Sequence, residues 1–220
     1  MAKHILIVVT TADKMNEEHS TGLWLSEFGE AYAEFHQSGY EVTVASPLGG
    51  KVPLDERSLQ GDVPQDILDT APLLEDTIKL DKIEDIALFD AIFLPGGHGT
   101  MFDFPNNEKL QLLVRNMYET NKVVAAVCHG PAGLVNVTLS DGSLLVAGKK
   151  VTAFTDEEER ETTLDQYMPF LLETRLRELG AEFSAAQNWS DHIQRDGMLI
   201  TGQNPQSTVS VAKEVIKLLS

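Results

Sequence analysis

The chain of 220 residues has a single cysteine. One thiol forms no internal disulfide, which excludes a secreted disulfide framework and points to a reducing compartment. Cations are scarce too: 17 Lys and Arg stand against 34 Asp and Glu, a formal net charge of -17. A surface of that sign repels phosphate backbones and anionic lipid, so neither nucleic acid nor membrane is expected as a partner. A small neutral or anionic substrate in a local pocket remains compatible with it. Long hydrophobic runs are missing as well, and no segment approaches the roughly 20 residues of a membrane-spanning helix. The apolar stretch of "MAKHILIVVT" is too short for a secretory core and runs into polar "TADKMNEEHS". The expected location is therefore the cytoplasm. With 42% hydrophobic residues, 16 Gly and 9 Pro, the composition is that of a globular chain. Its length suits one domain over residues 1–220.

What is present alternates in period. "HILIVV" (4–9) is a β-branched run that suits a strand buried on both faces. In "TGLWLSEFGEAYAEFHQSG" (21–39), Trp24, Leu25, Phe28, Tyr32 and Phe35 fall at helical spacing, and Gly39 supplies the stop. "YEVTVAS" (40–46) predicts the next strand, and residues 47–80, rich in Pro, Gly and Asp, predict loop with short helical turns. "FDAIFLPGGHGT" (89–100) reads as a strand entering a glycine turn, residues 107–121 as an amphipathic helix, and "VVAAVC" (123–128) and "KKVTAF" (149–154) as strands. A helix is predicted over 168–180. A hairpin at Asp196-Gly197 in "IQRDGMLITG" and a closing helix from Pro205 complete the chain. Strands alternating with helices define a mostly parallel sheet covered on both faces. Ligands of such sheets bind beyond the carboxyl ends of the strands, where "LPGGHG" and "VCHGPAG" both fall.

The cysteine lies in the second of these. In "AVCHGPAG", Val127 ends a strand, Cys128 takes the turn, Gly130 relieves crowding and Pro131 suits a first helical turn. That is the pattern of a nucleophile elbow, in which a sharp turn lifts the side chain and aims the following N–H groups at one point. A helix starting there would favour the thiolate. His129 is a candidate base for the thiol. The glycines of "PGGHG" (95–99) can aim N–H groups at an oxyanion. They fit neither a dinucleotide fingerprint nor a phosphate loop. His4, His19, His36 and His98 are scattered and make no metal-binding pattern, so no metal and no cofactor are expected.

With these pieces, "ILIVVT", "TGLWLSEF", "VASPLGG", "FLPGGHGTMFD", "VCHGPAGL", "VTAFTDEEE", "PFLLE" and "LITGQNP", the sequence resembles the ThiJ/PfpI superfamily over nearly its whole length. The resemblance implies the class I glutamine-amidotransferase-like fold, a flavodoxin-like three-layer α/β/α sandwich with a mostly parallel central sheet, and, within it, the glyoxalase III and heat-shock-chaperone branch. It implies Cys128 as nucleophile, His129 as its partner and Glu27 beside the thiol. An acid of "FTDEEE" would orient His129; Glu159 fits best, with Glu158 and Asp156 as alternatives. The N–H groups of Gly97 and His129, with Gly96 beside them, would bind the oxyanion. Ser26 departs from the pattern, since relatives often carry a second acid there. An amidotransferase proper is disfavoured, because that class has a downstream H-x-E and here His192 is followed by "IQR". His192 is expected to be structural, at most lining the pocket. Of the run "DEEERE" (156–161), most carboxylates are expected at the surface, with one turned inward.

Two functions of different class follow. One is a glutathione-independent glyoxalase acting on a small reactive dicarbonyl, methylglyoxal or glyoxal, through a Cys128 hemithioacetal, with deglycase activity at the same thiol. The other is a stress-response holdase chaperone or a cysteine redox sensor; a cysteine peptidase is a weaker third. The resemblance also implies a homodimer.

Overall fold

Period-2 alternation in the apolar strands divides their side chains between two hydrophobic layers. Ile5, Ile7 and Val9 face one side, and Leu6 and Val8 the other. Phe93, Val123, Ala125 and Val127 follow the first set; Ile92, Leu94, Val124 and Ala126 follow the second. Such strands must be covered twice, and the computed structural model, which describes residues 2–220, shows how.

The strands are β1 (His4–Val8), β2 (Glu41–Ser46), β3 (Ile78–Lys79), β4 (Ala91–Leu94), β5 (Val123–Val127), β6 (Lys150–Val151), β7 (Glu182–Phe183), β8 (Ile193–Asp196) and β9 (Leu199–Gly202). The helices are α1 (Leu25–Gln37), α2 (Gln65–Leu68), α3 (Thr100–Asp103), α4 (Glu108–Glu119), α5 (Asp156–Thr162), α6 (Leu172–Glu178) and α7 (Thr208–Leu219). Seven strands form one sheet in the order β3-β2-β1-β4-β5-β9-β8. All its pairings are parallel except β8 with β9, the hairpin expected at Asp196-Gly197. The register lines up Ile7, Phe93, Ala125 and Ile200 in one row across the sheet. Helices α1 and α7 cover that row with Phe28, Phe35, Val211 and Val215, while α4 and α6 cover the opposite face with Leu110, Leu113, Met117 and Leu176. Phe35 meets Phe93 edge-on at 5.7 Å. Truncating either fully buried ring to alanine costs about 3–5 kcal/mol. The chain reverses its direction of travel across the sheet between β1 and β4, so the crevice for a ligand lies at their carboxyl ends.

Three elements differ from the sequence reading. Helix α1 begins at Leu25, because residues 22–24 are held in an extended bridge: Leu23 N–H donates to Pro53 O at 2.8 Å, and Asp55 N–H to Leu23 O at 2.9 Å. Gly22 permits the approach, since a Cβ there would lie 2.3 Å from Pro53 O. Helix α6 starts only at Leu172, because Met168 ahead of Pro169 is extended. The strand expected over 149–154 shrinks to Lys150–Val151, paired with β7 outside the main sheet. Beyond it the backbone bends over the strand ends. Thr152 N–H donates to Thr201 Oγ1 at 2.8 Å, and Phe154 N–H to Cys128 O at 2.9 Å. That diversion carries α5 to the end of β5. Among the described residues, no helix is long and apolar enough to cross a membrane.

Candidate active site

Cys128 follows the last residue of β5 with φ = 59°, in the left-handed region. For a residue with a Cβ this conformation costs roughly 1–2 kcal/mol. Backbone bonds on both sides hold it: Cys128 N–H donates to Gly202 O at 3.0 Å, and its carbonyl accepts from Phe154. The turn then packs against the end of β4. A Cβ on Gly130 would lie 2.0 Å from Leu94 O, and one on Gly96 would lie 2.6 Å from His129 N. Glycine at 130 is thus required by close approach. Thr100 ties the two turns together, its hydroxyl reaching Gly97 O at 2.9 Å and His129 O at 3.0 Å.

The expected helix after the cysteine is only a five-residue 3₁₀ turn, Gly130–Leu134. So short a turn has little dipole to stabilise a thiolate, and the thiol is buried. Burial, followed by the neighbouring Glu27 carboxyl, pushes the Cys128 thiol well above its ordinary range; the His129 N–H opposes this. The expectation of a thiolate favoured by the turn therefore loses its support: the short turn and the burial both favour the protonated thiol.

Glu27, in the first turn of α1, is fully buried. Its Oε2 accepts from Gly96 N–H at 2.6 Å, while Oε1 has no hydrogen-bond partner among the described residues. Burial raises its carboxyl to about 8, against the lowering pull of the Gly96 N–H and of the neighbouring Cys128 side chain. At neutral pH the thiol and the carboxyl beside it both keep their protons. The same bond removes Gly96 from the expected oxyanion donors, since its N–H is already engaged. Gly97, at φ = 98°, has no partner for its N–H among the described residues.

His129 Nδ1 lies 3.3 Å from Cys128 Sγ, and its Nε2 lies 2.6 Å from Glu159 Oε2. The carboxylate fixes the tautomer: Nε2 carries the hydrogen, leaving the Nδ1 lone pair facing the thiol. Cys128, His129 and Glu159 thus form a buried chain along which the thiol proton can move to the imidazole. Glu159 is the acid that meets His129. Glu158, one position earlier, instead accepts from the backbone and side chain of Thr155 in a capping box at the start of α5. Asp156 points to Thr174. Two carboxylates of the acidic run are buried, Glu158 and Glu159, where one was expected.

His98 was assigned to no cluster from the sequence, yet it completes this one. Its Nε2 lies 2.7 Å from Glu159 Oε1, and its ring lies 4.2 Å from that of His129, tilted by 40°. Burial, then the nearby His129 charge, lowers it to about 4, so it is a neutral donor. Burial alone would raise Glu159. The adjacent His129 and the hydrogen bonds of His129 and His98 outweigh that and hold the carboxyl well below its usual range. The only signal in the sequence was position, at the end of β4 beside the glycines. His98, His129 and Glu159 bring donor atoms within 4.8 Å of one another, close enough to hold a cation, which spacing along the chain did not show. His192 pairs with Ser184 and Gln194, away from the thiol.

A buried cysteine on a left-handed turn, set between a buried glutamate and a carboxylate-oriented histidine at the carboxyl edge of a parallel sheet, defines an α/β protein of the flavodoxin-like architecture with a thiol site at the strand ends. Residues 20–218 match the DJ-1/PfpI family, and the chain belongs to it. It is 37% identical to a glutathione-independent glyoxalase of Schizosaccharomyces pombe, with 90% of this chain and 88% of that protein covered. The crystal structure of glyoxalase III from Candida albicans superposes with a TM-score of 0.89 at 30% identity, covering 98% of this chain and 96% of that one. The rapid encystment protein of Francisella tularensis superposes with a TM-score of 0.94 at 35% identity, and 99% of each chain is covered.

Proposed function

We propose that the protein is a glutathione-independent glyoxalase converting methylglyoxal or glyoxal to the 2-hydroxy acid at Cys128. The observation that carries this is Glu27, a buried carboxyl raised to about 8 next to the thiol. An acyl-transfer peptidase needs the thiol, the histidine and its acid. A glyoxalase needs in addition a group that moves a proton between adjacent carbons, and the burial of Glu27 next to the thiol supports that role for it. The relatives' names and the smallness of the cavity over the thiol, about 40 Å3, support the same reading.

Sγ bonds to the aldehyde carbon as His129 Nδ1 takes the thiol proton, and Glu27 gives its proton to the aldehyde oxygen, forming the hemithioacetal. Glu27, now a carboxylate, removes the hydrogen from that carbon. The electron pair forms an enediol as His129 protonates the neighbouring carbonyl oxygen. Glu27 returns its proton to the second carbon, and His129 takes the hydroxyl proton of the first, leaving a 2-hydroxyacyl thioester. Glu27 then deprotonates the attacking water and His129 protonates the leaving sulfur, which restores both groups. The N–H groups of Gly97 and His129 serve the developing oxyanion, and Glu159 keeps His129 in its tautomer.

The test is lactate formation from methylglyoxal without glutathione, by wild type, Cys128→Ala and Glu27→Gln. Turnover in the wild type and its loss in both variants is the expected result. No turnover by wild-type protein with a reduced thiol overturns the reading.

A further inference from the structure

The cavity over Cys128 has a floor of reactive groups and a wall of rings. Cys128 and His129 lie at its base, and Trp24, Phe154, Trp189 and Pro205 enclose it. No Lys, Arg, Asp or Glu is among the described residues lining it. About 40 Å3 is room for roughly three water-sized spheres, hence for a ligand of a handful of non-hydrogen atoms. An apolar wall without a counter-charge also disfavours a charged substituent, whose desolvation nothing there compensates.

Of that wall, Trp189 is the part held by special means. Its φ is 58°, a conformation that a bulky residue adopts only when its surroundings enforce it. The enforcement comes from Glu158, which is fully buried. Glu158 Oε1 accepts from Trp189 N–H at 2.8 Å, from Gln203 Nε2 at 3.1 Å and from Asn204 Nδ2 at 2.9 Å. Its Oε2 accepts from Thr155 N–H and Oγ1. A second carboxylate of α5, Glu161, accepts from the indole Nε1–H. The ring therefore cannot swing freely, although 40% of the residue is exposed. It abuts Phe154 edge-on at 5.5 Å, and Phe154 in turn lies 4.4 Å from the His129 ring. The helix that delivers Glu159 to the histidine thus also fixes the outer wall of the pocket.

We infer that Trp189 is the specificity-determining residue of this pocket. It limits substrates to 2-oxoaldehydes whose second substituent is hydrogen or a short uncharged alkyl group. The inference rests on the glyoxalase reading. Its test compares kcat/KM for glyoxal, methylglyoxal and phenylglyoxal in wild type, Trp189→Gly and Trp189→Phe. Glycine accepts the positive φ and retains the N–H that Glu158 holds, so the variant removes the indole without opposing the backbone. The ratio of phenylglyoxal to methylglyoxal turnover should rise on the order of tenfold or more in Trp189→Gly, chiefly through KM. In Trp189→Phe it should rise by less. If Trp189→Gly does not fold, the smaller shift in Trp189→Phe carries the test. An unchanged ratio in the folded variants, with methylglyoxal still turned over, overturns the inference and leaves the glyoxalase reading standing. Wild-type protein that turns over none of the three overturns the glyoxalase reading instead.

Discussion

Replacing Glu27 by glutamine should make the protein more stable, and increasingly so as pH rises. The side chain is fully buried and its carboxyl is raised from 4.5 to about 8. Between those values the folded chain keeps a proton that the unfolded chain releases. The unfolded state is then favoured as pH increases, by ~1.4 kcal/mol per unit. From pH 5 to pH 8, three units inside that window, the wild type should lose about 4 kcal/mol from this group alone, a large fraction of a typical 5–15 kcal/mol total. Glutamine is neutral throughout, can accept from Gly96 N–H as Glu27 does, and can direct its amide at the thiol. The variant should therefore lack this component. Other shifted groups, Glu30 raised to about 7 and His98 lowered to about 4, are present in both proteins and cancel in the difference. Urea unfolding at pH 5, 6, 7 and 8 measures it. The two stability curves should diverge with rising pH, the wild type below the variant at pH 8. Parallel curves over that range would mean that Glu27 is ionised in the fold, and the proposed proton relay would lose its starting acid.

Two further outcomes follow from the same geometry. Glu159→Gln leaves one carbonyl oxygen facing two imidazole N–H groups, so one histidine must change tautomer; kcat for lactate formation should fall on the order of 10²–10⁴-fold while the fold is kept, as circular dichroism would show. Cys128→Gly removes both the nucleophile and the left-handed strain, so the variant should be inactive yet as stable as wild type or more so by about 1 kcal/mol, read from its urea midpoint.

The fold was legible because its strands announce themselves twice. "HILIVV", "AIFL" and "VVAAV" are continuous apolar runs, and the first two are each followed by a helical period that supplies cover. Where reading failed, a tertiary contact overrode a local pattern. Residues 152–154 have strand composition, but their N–H groups are spent on Thr201 and Cys128, and no periodicity encodes a partner so far along the chain. Residues 22–24 fit the helical pattern, yet the bridge to residues 53–55 holds them extended.

The site was legible in its residue types and partly hidden in its electrostatics. A lone cysteine before His-Gly-Pro marks the elbow, since only a left-handed turn against another strand end explains a glycine whose Cβ would strike a carbonyl. Three properties depend on depth, which a sequence does not state. Gly96 was a reasonable oxyanion donor until Glu27 proved to be buried beneath it and to take its N–H. A helix dipole was a reasonable activator of the thiol until the following helix proved to be one 3₁₀ turn. His98 had no neighbour in the chain, and Glu159 became its neighbour only because β6 stops early and lets α5 approach the glycine turn. These differences act in one direction. They move the resting site away from a preformed thiolate and toward a buried thiol beside a carboxylic acid, so the charge needed for addition to an aldehyde develops as the substrate arrives.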